Sequence, residues 1–453
     1  MVTFYRFNSK MGGIHPCLEE NAMENGSKPL RLLHTSDWHI GHTLYGRKRH
    51  DEFGAFLDWL GEVLVREDID VLLVAGDIFD SSVPSHRAQE LYYRFLHRIT
   101  LSSCRHAVLV GGNHDSPTFL DAPQELLGAF SIHVVGTPPL RWEDEVKILR
   151  DSQGRPELLV CAVPYLRDGD LRTAEAGESP EDKDRKLVEG LRSHYAQVVA
   201  LGEEIRQREA PGVPLVALGH LFVAGGTSAE GDGVRELYVG SLARVSGDIF
   251  PENLDYVALG HLHAPQKVAG AENRRYSGAP LALGFGEATQ KKSLCRVEFS
   301  GRRASVDLLP VPVFQRLERL RGSPEEMLCR LRHLATEGES VWLEADYDGE
   351  EILGDLGASL DSAVLGTPLE VLCVKNRRLP ASLIVGEEDG GNLTELNEHE
   401  VFERCLEEAS VGESQREELR RTYREILLDL AQDDPLGEER SDACASSEYT
   451  SKI

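Results

Sequence analysis

The chain has 453 residues, and its 49 Lys and Arg against 76 Asp and Glu give a formal net charge of −27. Hydrophobic residues make up 41% of the sequence, which suffices for a folded core and excludes a chain that is disordered throughout. The acidity at first disfavours a polyanionic ligand, because proteins that bind polyphosphates usually carry basic faces.

Cysteine spacing and hydropathy indicate a cytoplasmic protein. The eight cysteines are scattered and form no CxxC pair, which is typical of free thiols in a reducing compartment. No run reaches the ~18 consecutive apolar residues that a membrane span needs. Residues 1–28 lack the apolar core of a secretory signal, and we expect residues 1–29 to form a disordered leader.

Strands and helices alternate through the first two thirds of the chain. The apolar pattern predicts strands over 30–33, 69–75, 107–110, 158–163, 214–218, 254–259, 294–299 and 306–309. Helices are predicted through 53–64, from 84 to beyond 99, and over 182–209. This alternation indicates a layered α/β domain over residues 30–310.

A smaller α/β pattern follows Pro310 and Pro312. Helices are predicted over 325–334 and 352–365, and strands over 341–347 and 369–374, which indicates a second domain over residues 311–400. We expect a loop over 386–391, a helical segment over 401–432 and a disordered acidic tail over 433–453.

Five of the predicted strands end in short clusters of metal-ligand residue types. They are Asp37-x-His39, Gly76-Asp77-x-x-Asp80, Gly112-Asn113-His114-Asp115, Gly219-His220 and Gly260-His261-x-His263. Ligands of open α/β sheets bind at the carboxyl ends of the strands. The i, i+2 spacing points two side chains the same way on extended backbone. We therefore expect the five clusters to converge on one site.

The chemistry of these residues favours a pair of divalent cations. Carboxylate, imidazole and amide oxygen suit a cation such as Mn²⁺ better than they suit a thiolate-bound zinc. Seven candidate ligands are too many for one ion and divide between two ions that share a carboxylate, ~3.5–4 Å apart. Taken singly, each cluster is weak evidence, and His34, His42, His50 and His86 are interpreted as ordinary polar residues.

The five clusters resemble the signature of the calcineurin-like metallophosphoesterases over residues 37–263. The segments LHTSDWHIG (33–41), VAGDIFD (74–80) and LDYVALGHLH (254–263) resemble more closely the SbcD family of bacterial nuclease subunits. The similarity extends into the second domain and to VFER at 401–404. It implies an α/β fold in which a layered metallophosphoesterase β-sandwich is flanked by helices and carries a smaller α/β capping domain.

The resemblance also implies roles for individual residues. One Mn²⁺ would be held by Asp37, His39, Asp77 and His263, and the other by Asp77, Asn113, His220 and His261. His114 would protonate the leaving oxygen or stabilise its charge, and Asp115 would orient its imidazole. Asp80 stands where archaeal and eukaryotic relatives tend to carry a histidine, so a second catalytic histidine is not expected.

The activity implied by the resemblance is a Mn²⁺-dependent DNA nuclease that functions in recombination, replication and repair. It would act as a 3′→5′ exonuclease on double-stranded DNA ends and as an endonuclease on single strands and hairpins. The implied partner is an SbcC-like ABC-type coiled-coil ATPase, in a heterotetramer that contains a homodimer of this chain. The segment 401–432 either docks on that partner or packs internally.

Two alternatives stay open. The first is a phosphodiesterase or phosphatase of the same fold that acts on a non-DNA substrate. Protein phosphatases usually carry an arginine–glycine pair after the second motif, where this chain has Ser81, Ser82 and Val83. The second is a DNA-end scaffold with vestigial catalysis, which the complete set of ligands and His114 disfavours.

The net charge of −27 does not exclude DNA, because only Asp37 and Asp77 of the 76 acidic residues are candidate ligands. Local basic groups are candidate phosphate contacts, namely Arg47, Lys48 and Arg49 beside the first cluster and Arg274 and Arg275 after the last. The acidity predicts that the chain alone binds DNA weakly and that the partner supplies much of the affinity.

Overall fold

The computed structural model describes residues 28–173, 175, 177–223, 245–347, 349 and 356–376, together with 402, 406, 416 and 419–423. The expected loop at 386–391, the tail at 433–453 and the leader up to residue 27 lie outside the described residues. Within 401–432, the described positions are helical. Contacts divide the chain into two units, Met1–Glu318 with Ser340–Trp342, and Arg319–Glu339 with Leu343–Ile453.

The strands of the first unit follow the predicted order, with several additions. They are β1 (Leu30–Thr35), β2 (Thr43–Leu44), β3 (Arg47–Lys48), β4 (Val71–Ala75), β5 (His106–Val110), β6 (Ile132–Val135), β7 (Val146–Arg150), β8 (Pro156–Ala162), β9 (Leu215–His220), β10 (Tyr256–Gly260), β11 (Gln266–Lys267), β12 (Arg274–Tyr276), β13 (Ser293–Ser300) and β14 (Arg303–Pro310). Its helices are α1 (His50–Arg66), α2 (His86–Thr100), α3 (Pro117–Asp121), α4 (Gln124–Gly128), α5 (Asp168–Leu171) and α6 (Pro180–Glu209).

Two six-stranded sheets form the first unit. One has the order β14-β13-β1-β4-β5-β6, and the other has the order β11-β12-β10-β9-β8-β7. The central strands of each sheet are parallel. Antiparallel pairs close one edge of the first sheet, whose other edge is the parallel strand β6, and both edges of the second. The carboxyl ends of β1, β4 and β5 therefore share one edge of the first sheet, and those of β8, β9 and β10 share one edge of the second.

Three apolar clusters give the unit its layers. One cluster lies between the sheets and combines residues of both, such as Leu73 of β4 and Val216 of β9. A second joins the first sheet to α1 and α2, and a third joins the second sheet to α6. The fold is a β-sandwich flanked by helices, which confirms the predicted fold class. Among the described residues, no helix combines the length and hydropathy of a membrane span.

The second unit is a small α/β structure. Its elements are α7 (Pro324–Glu337), α8 (Leu356–Val364) and β17 (Leu369–Asn376), together with most of β15 (Arg316–Gly322) and β16 (Val341–Tyr347), whose first residues are counted with the first unit. The sheet order is β15-β16-β17. Ser323 begins α7 in a capping box with Glu326, and Gly338 ends it in the left-handed conformation.

The main differences from the predicted elements have local causes. Helix α6 starts two residues early because Ser179 caps it and Pro180 occupies its first turn. The strands β6, β7, β12 and β15 were missed. They are short or rich in charged residues, and tertiary pairing rather than an apolar run defines them. Cys104, Cys161 and Cys295 are buried thiols, and Cys329 is an exposed one.

Candidate metal centre

The five clusters converge where the two sheets present the carboxyl ends of their strands. The backbone beyond β1 pairs with the backbone beyond β4, because the N–H groups of Asp37 and His39 donate to the carbonyl oxygens of Gly76 and Asp77, both at 3.0 Å. Across the sandwich, the N–H of His261 donates to Asp37 Oδ1 at 2.8 Å. These bonds join the first, second and fifth clusters into one loop assembly.

One group of candidate ligands combines Asp37, His39 and His263. Each offers an atom within 4.8 Å of the others, and all three residues are buried. The rings of His39 and His263 meet edge to face, with centroids 5.1 Å apart. Ser36 donates a short hydrogen bond to Asp37 Oδ2 and also contacts Ser277 at 2.8 Å. The Asp37 carboxylate is thus held in place from behind.

A second group combines Asp77, His220 and His261, again with ligand atoms within 4.8 Å. Asn113 lies between the two imidazoles, with its Oδ1 2.9 Å from His220 Nε2 and 3.0 Å from His261 Nδ1. His220 Nδ1 donates to the carbonyl oxygen of Ala75 at 2.9 Å, which leaves Nε2 to face the centre.

Asp77 lies between the two groups. Its Oδ2 is 3.6 Å from His39 Nε2 and 3.3 Å from His220 Nε2. Its Oδ1 accepts the backbone N–H of His114 at 2.9 Å. A carboxylate in this position is suited to being shared between two cations.

The backbone at the centre is strained. Asp37, His39, Asp77 and His261 have φ values of 51°, 48°, 49° and 100°. Residues other than glycine rarely adopt positive φ values, because this backbone conformation costs about 1–3 kcal/mol per residue. Because four such residues lie together, we infer that the positions of their side chains are maintained at a cost in backbone conformational energy.

Two glycines make the close packing of the loops feasible. A Cβ on Gly112 would collide with the carboxylate and backbone of Asp77, and one on Gly260 would collide with the carbonyl oxygen of Ala75. The glycines of the third and fifth clusters are therefore required where backbone and carboxylate approach closely.

Burial and mutual attraction set the charges of the centre. Burial alone would raise the pKa of Asp77, but His220, His39 and His114 outweigh it and hold that pKa well below its ordinary value. Burial opposes protonation of His220, yet its attraction to Asp77 raises its pKa to about 9. Burial and the neighbouring His220 lower the pKa of His261 to about 3. Because a metal-binding imidazole must be neutral, a cation held at His220 would compete with that proton.

The environment of His39 indicates a metal centre without reference to the sequence motifs. His39 is 2% exposed, and its Nε2 has no hydrogen-bond partner. Its Nε2 faces Asp77, and its Nδ1 lies 3.4 Å from Asp80 Oδ1. A buried ring nitrogen without a partner is costly in a dry interior. A cation ligated by Nε2 would remove that cost.

His114 is half-buried beside the ligands, with its ring centroid 4.9 Å from that of His39. Its Nδ1 donates to the carbonyl oxygen of Asp80 at 2.9 Å, so the lone pair of the neutral ring is on Nε2. One of its ring nitrogens also lies within 4.8 Å of ligand atoms of His39 and Asp77.

The expected role of Asp115 in orienting His114 is wrong. The Asp115 carboxylate instead accepts backbone N–H groups from Gly112 at 2.8 Å, Phe79 at 2.9 Å and Ile78 at 3.1 Å. Asp115 thus ties the loop after β5 to the loop after β4. The backbone of Asp80 orients His114, and no residue pattern in the sequence indicates a backbone acceptor.

Three of the five basic residues expected to contact phosphate make hydrogen bonds or ion pairs within the protein. Arg49 is buried and makes a bidentate ion pair with Glu52, at 2.7 and 2.9 Å. Arg274 donates to the carbonyl oxygens of Gly247 and Phe250. Arg275 is also buried and pairs with Glu272. These three arginines are engaged by acceptors within the protein, whereas Arg47 and Lys48 are exposed, and phosphate contact by any of the five stays a prediction.

The structure adds residues that the sequence patterns missed. Tyr165 follows the end of β8, and its ring centroid lies 6.2 Å from that of His220. His42 Nδ1 lies 2.9 Å from Asp80 Oδ1. Glu287 contacts His263 from a segment 24 residues further along the chain. The end of β8 carries no residue of a metal-ligand type, so the sequence does not point to Tyr165. A contact between residues 24 positions apart, such as that of Glu287 with His263, is not indicated by the sequence either.

Comparison with known proteins agrees with the fold and the site. The family model of the calcineurin-like phosphoesterases matches residues 30–265. A second model, the type 5 capsule protein repressor C-terminal domain, matches residues 313–410. The sandwich with its converging strand ends is therefore that of a calcineurin-like phosphoesterase, a class whose members use divalent metal ions.

Curated relatives narrow the class. The SbcD component of the nuclease SbcCD from Escherichia coli K12 is 33% identical over 405 residues, which cover 89% of this chain and 99% of the relative. The SbcD component from Rhodobacter capsulatus is 36% identical over 355 residues, which cover 76% and 86%. The chain belongs to the SbcD family of nuclease subunits and is accordingly a phosphodiester hydrolase with nuclease function. A family 1 β-glucosidase from Thermotoga maritima aligns with a TM-score of only 0.21 at 11% identity, which has no bearing on the fold.

Proposed function

We propose that the chain is a Mn²⁺-dependent DNA nuclease of the cytoplasm. It acts as a 3′→5′ exonuclease on double-stranded ends and as an endonuclease on single strands and hairpins. Its roles are in DNA recombination, replication and repair. The observation that supports this most strongly is the position of Asp77 between two groups of buried ligands, in a chain of the SbcD family.

The proposed ligand sets are those that the sequence implied. Asp37, His39, Asp77 and His263 hold one cation, and Asp77, Asn113, His220 and His261 hold the other. When bound, two divalent cations neutralise the phosphate and lower the pKa of the attacking water. Imidazole, carboxylate and amide oxygen, with no thiolate among them, favour Mn²⁺ over a structural zinc.

The side chains of the centre divide the remaining work. The water oxygen bonds to phosphorus while the bond from phosphorus to the leaving oxygen breaks, and that oxygen needs a proton. His114 in its doubly protonated form supplies it from Nε2 and returns to the neutral ring, while its Nδ1 stays on the carbonyl oxygen of Asp80 at 2.9 Å. Asp115 keeps the two loops that carry Asp77 and His114 in register through its three backbone contacts.

The proposed assembly includes a second protein. The names of the curated relatives make each of them one component of a nuclease called SbcCD, and we assign to this chain an SbcC-like ABC-type coiled-coil ATPase as its partner. The chain forms a homodimer within the heterotetramer. Residues 30–310 are the nuclease domain, residues 311–400 cap it, and the segment 401–432 docks on the partner or packs internally. With the net charge of −27, the partner supplies much of the affinity for DNA.

Digestion of labelled linear DNA tests the proposed activity. With Mn²⁺ and the co-purified ATPase, duplex DNA labelled at its 3′ ends should release labelled mononucleotide at once. The same duplex labelled at its 5′ ends should instead yield progressively shorter labelled strands. Chelation should stop both reactions, and Mn²⁺ should restore them.

A parallel assay with a small phosphomonoester separates this function from the alternative of the same fold. The proposal requires cleavage of DNA at a rate well above that of the phosphomonoester. Rapid turnover of the phosphomonoester with intact DNA would contradict it and would favour a phosphatase.

A further inference from the structure

A buried ion pair lies directly behind one of the candidate ligands. Glu287 is fully buried in the short 3₁₀ turn Phe285–Glu287, and its Oε1 lies 3.1 Å from His263 Nδ1. Its Oε2 accepts the N–H of Leu283 at 3.2 Å and pairs with Lys292 Nζ. Lys292 also donates to the carbonyl oxygen of His263 at 3.3 Å and to Gln290 at 3.0 Å.

This arrangement fixes both the direction and the tautomer of the His263 ring. A carboxylate can only accept, so the proton of the neutral ring is on Nδ1 and the lone pair is on Nε2. Nε2 is then the atom that faces Asp37 and His39, with which His263 forms a ligand group. The ammonium of Lys292 balances the charge of Glu287, and this makes a buried carboxylate tolerable at that place.

The other ligand group is supported differently. His220 Nδ1 donates to a backbone carbonyl, that of Ala75, whereas His263 faces a carboxylate and His39 Nδ1 lies 3.4 Å from the Asp80 carboxylate. A carboxylate behind a metal-binding imidazole raises its basicity and holds its orientation more firmly than a neutral acceptor does. The two proposed cation positions therefore differ in the groups that orient their imidazole ligands.

We propose that Glu287, paired with Lys292, is a positioning residue that orients His263 for the cation held with Asp37 and His39. The inference rests on the proposed metal centre and assigns to it two residues outside the five clusters. Loss of the Glu287 carboxylate weakens cation binding at this position. The position formed by His220, His261 and Asn113 keeps its affinity.

Mn²⁺ titration of the full chain, without DNA or turnover, tests this directly. Calorimetry and the electron paramagnetic resonance signal of free Mn²⁺ should show two positions in the wild type. In Glu287→Gln, one position should bind about 10- to 100-fold more weakly, and the other should change by less than about threefold. A role limited to general stability would not weaken one position selectively.

Glu145→Gln is the matched control. Glu145 is 1% exposed and contacts the buried His194 at 2.9 Å, so this variant also removes a buried carboxylate–imidazole contact, at a histidine outside the ligand groups. It should keep both Mn²⁺ affinities. Equal weakening in both variants, or of both positions in Glu287→Gln, would overturn the inference.

The remaining outcomes are also decisive. If Glu287→Gln does not fold, Glu287→Asp keeps the charge beside Lys292 while it draws the carboxylate back from His263. It should weaken one position selectively, and unchanged affinities would overturn the inference. Two unaltered positions in a folded Glu287→Gln would overturn the role of Glu287 and leave the metal centre standing. A wild-type chain that binds no Mn²⁺ would overturn the metal centre itself.

Discussion

Asp77→Ala should lose both bound cations and nearly all DNA cleavage. The carboxylate lies 3.6 Å from His39 Nε2 and 3.3 Å from His220 Nε2, so in the proposed centre its removal takes the shared ligand from both positions. The cations supply several kcal/mol of transition-state stabilisation. At about 1.4 kcal/mol per tenfold change in rate, the loss should be about 10³-fold or more. Mn²⁺ titration and cleavage of end-labelled duplex measure the two effects.

Asp70→Ala is the matched control for this variant. Asp70 immediately precedes β4, the strand that Asp77 follows, and it is buried and paired with Arg105 at 2.6 Å. The variant should unfold at a lower temperature, because a buried ion pair is broken, but it should bind two cations and cleave DNA. An Asp77→Ala protein that retains two bound Mn²⁺ would rule out the shared-ligand role.

His114→Ala should give the opposite combination, with both cations retained and turnover lost. A positioned proton donor contributes about 10²- to 10⁴-fold to the rate, and that is the expected fall in kcat for duplex DNA. Mn²⁺ affinity should stay within about threefold of the wild type, because His114 is not among the proposed ligands. Single-turnover cleavage measures the loss without interference from product release.

His86→Ala is the control for the loss of a histidine. His86 is exposed at the start of α2 and lies outside the ligand groups, so its removal should leave both binding and cleavage unchanged. Cleavage by His114→Ala at the wild-type rate would show that the proton comes from elsewhere. Loss of a cation in that variant would instead make His114 a ligand.

Much of the fold could be predicted because most of its central strands are short apolar runs, several of which, such as β4 and β5, are followed by glycine. The clusters were found for the same reason: β4, for example, ends where Gly76 and Asp77 begin the next loop. Strands such as β12, which contains Arg274 and Arg275, carry no apolar run and depend on pairing across the sheet. Sequence patterns predict a strand reliably when both of its faces are buried, and less reliably when it lies at the edge of a sheet.

The candidate centre was predictable in composition but not in its supporting contacts. Spacing along a strand end places Asp37 and His39 together, because both are on one short segment. It does not reveal that Asp115 turns toward backbone N–H groups, nor that Arg49 is consumed by Glu52. The sequence gives no indication of a role for Glu287, because it is a single glutamate outside any motif and only the fold brings it to His263.

Anomalous diffraction from crystals soaked in Mn²⁺ tests the central claim most directly. Two peaks about 3.5–4 Å apart should flank the Asp77 carboxylate, one beside Asp37, His39 and His263 and the other beside Asn113, His220 and His261. A single peak, or peaks away from Asp77, would contradict the shared-carboxylate centre on which the proposed nuclease mechanism depends.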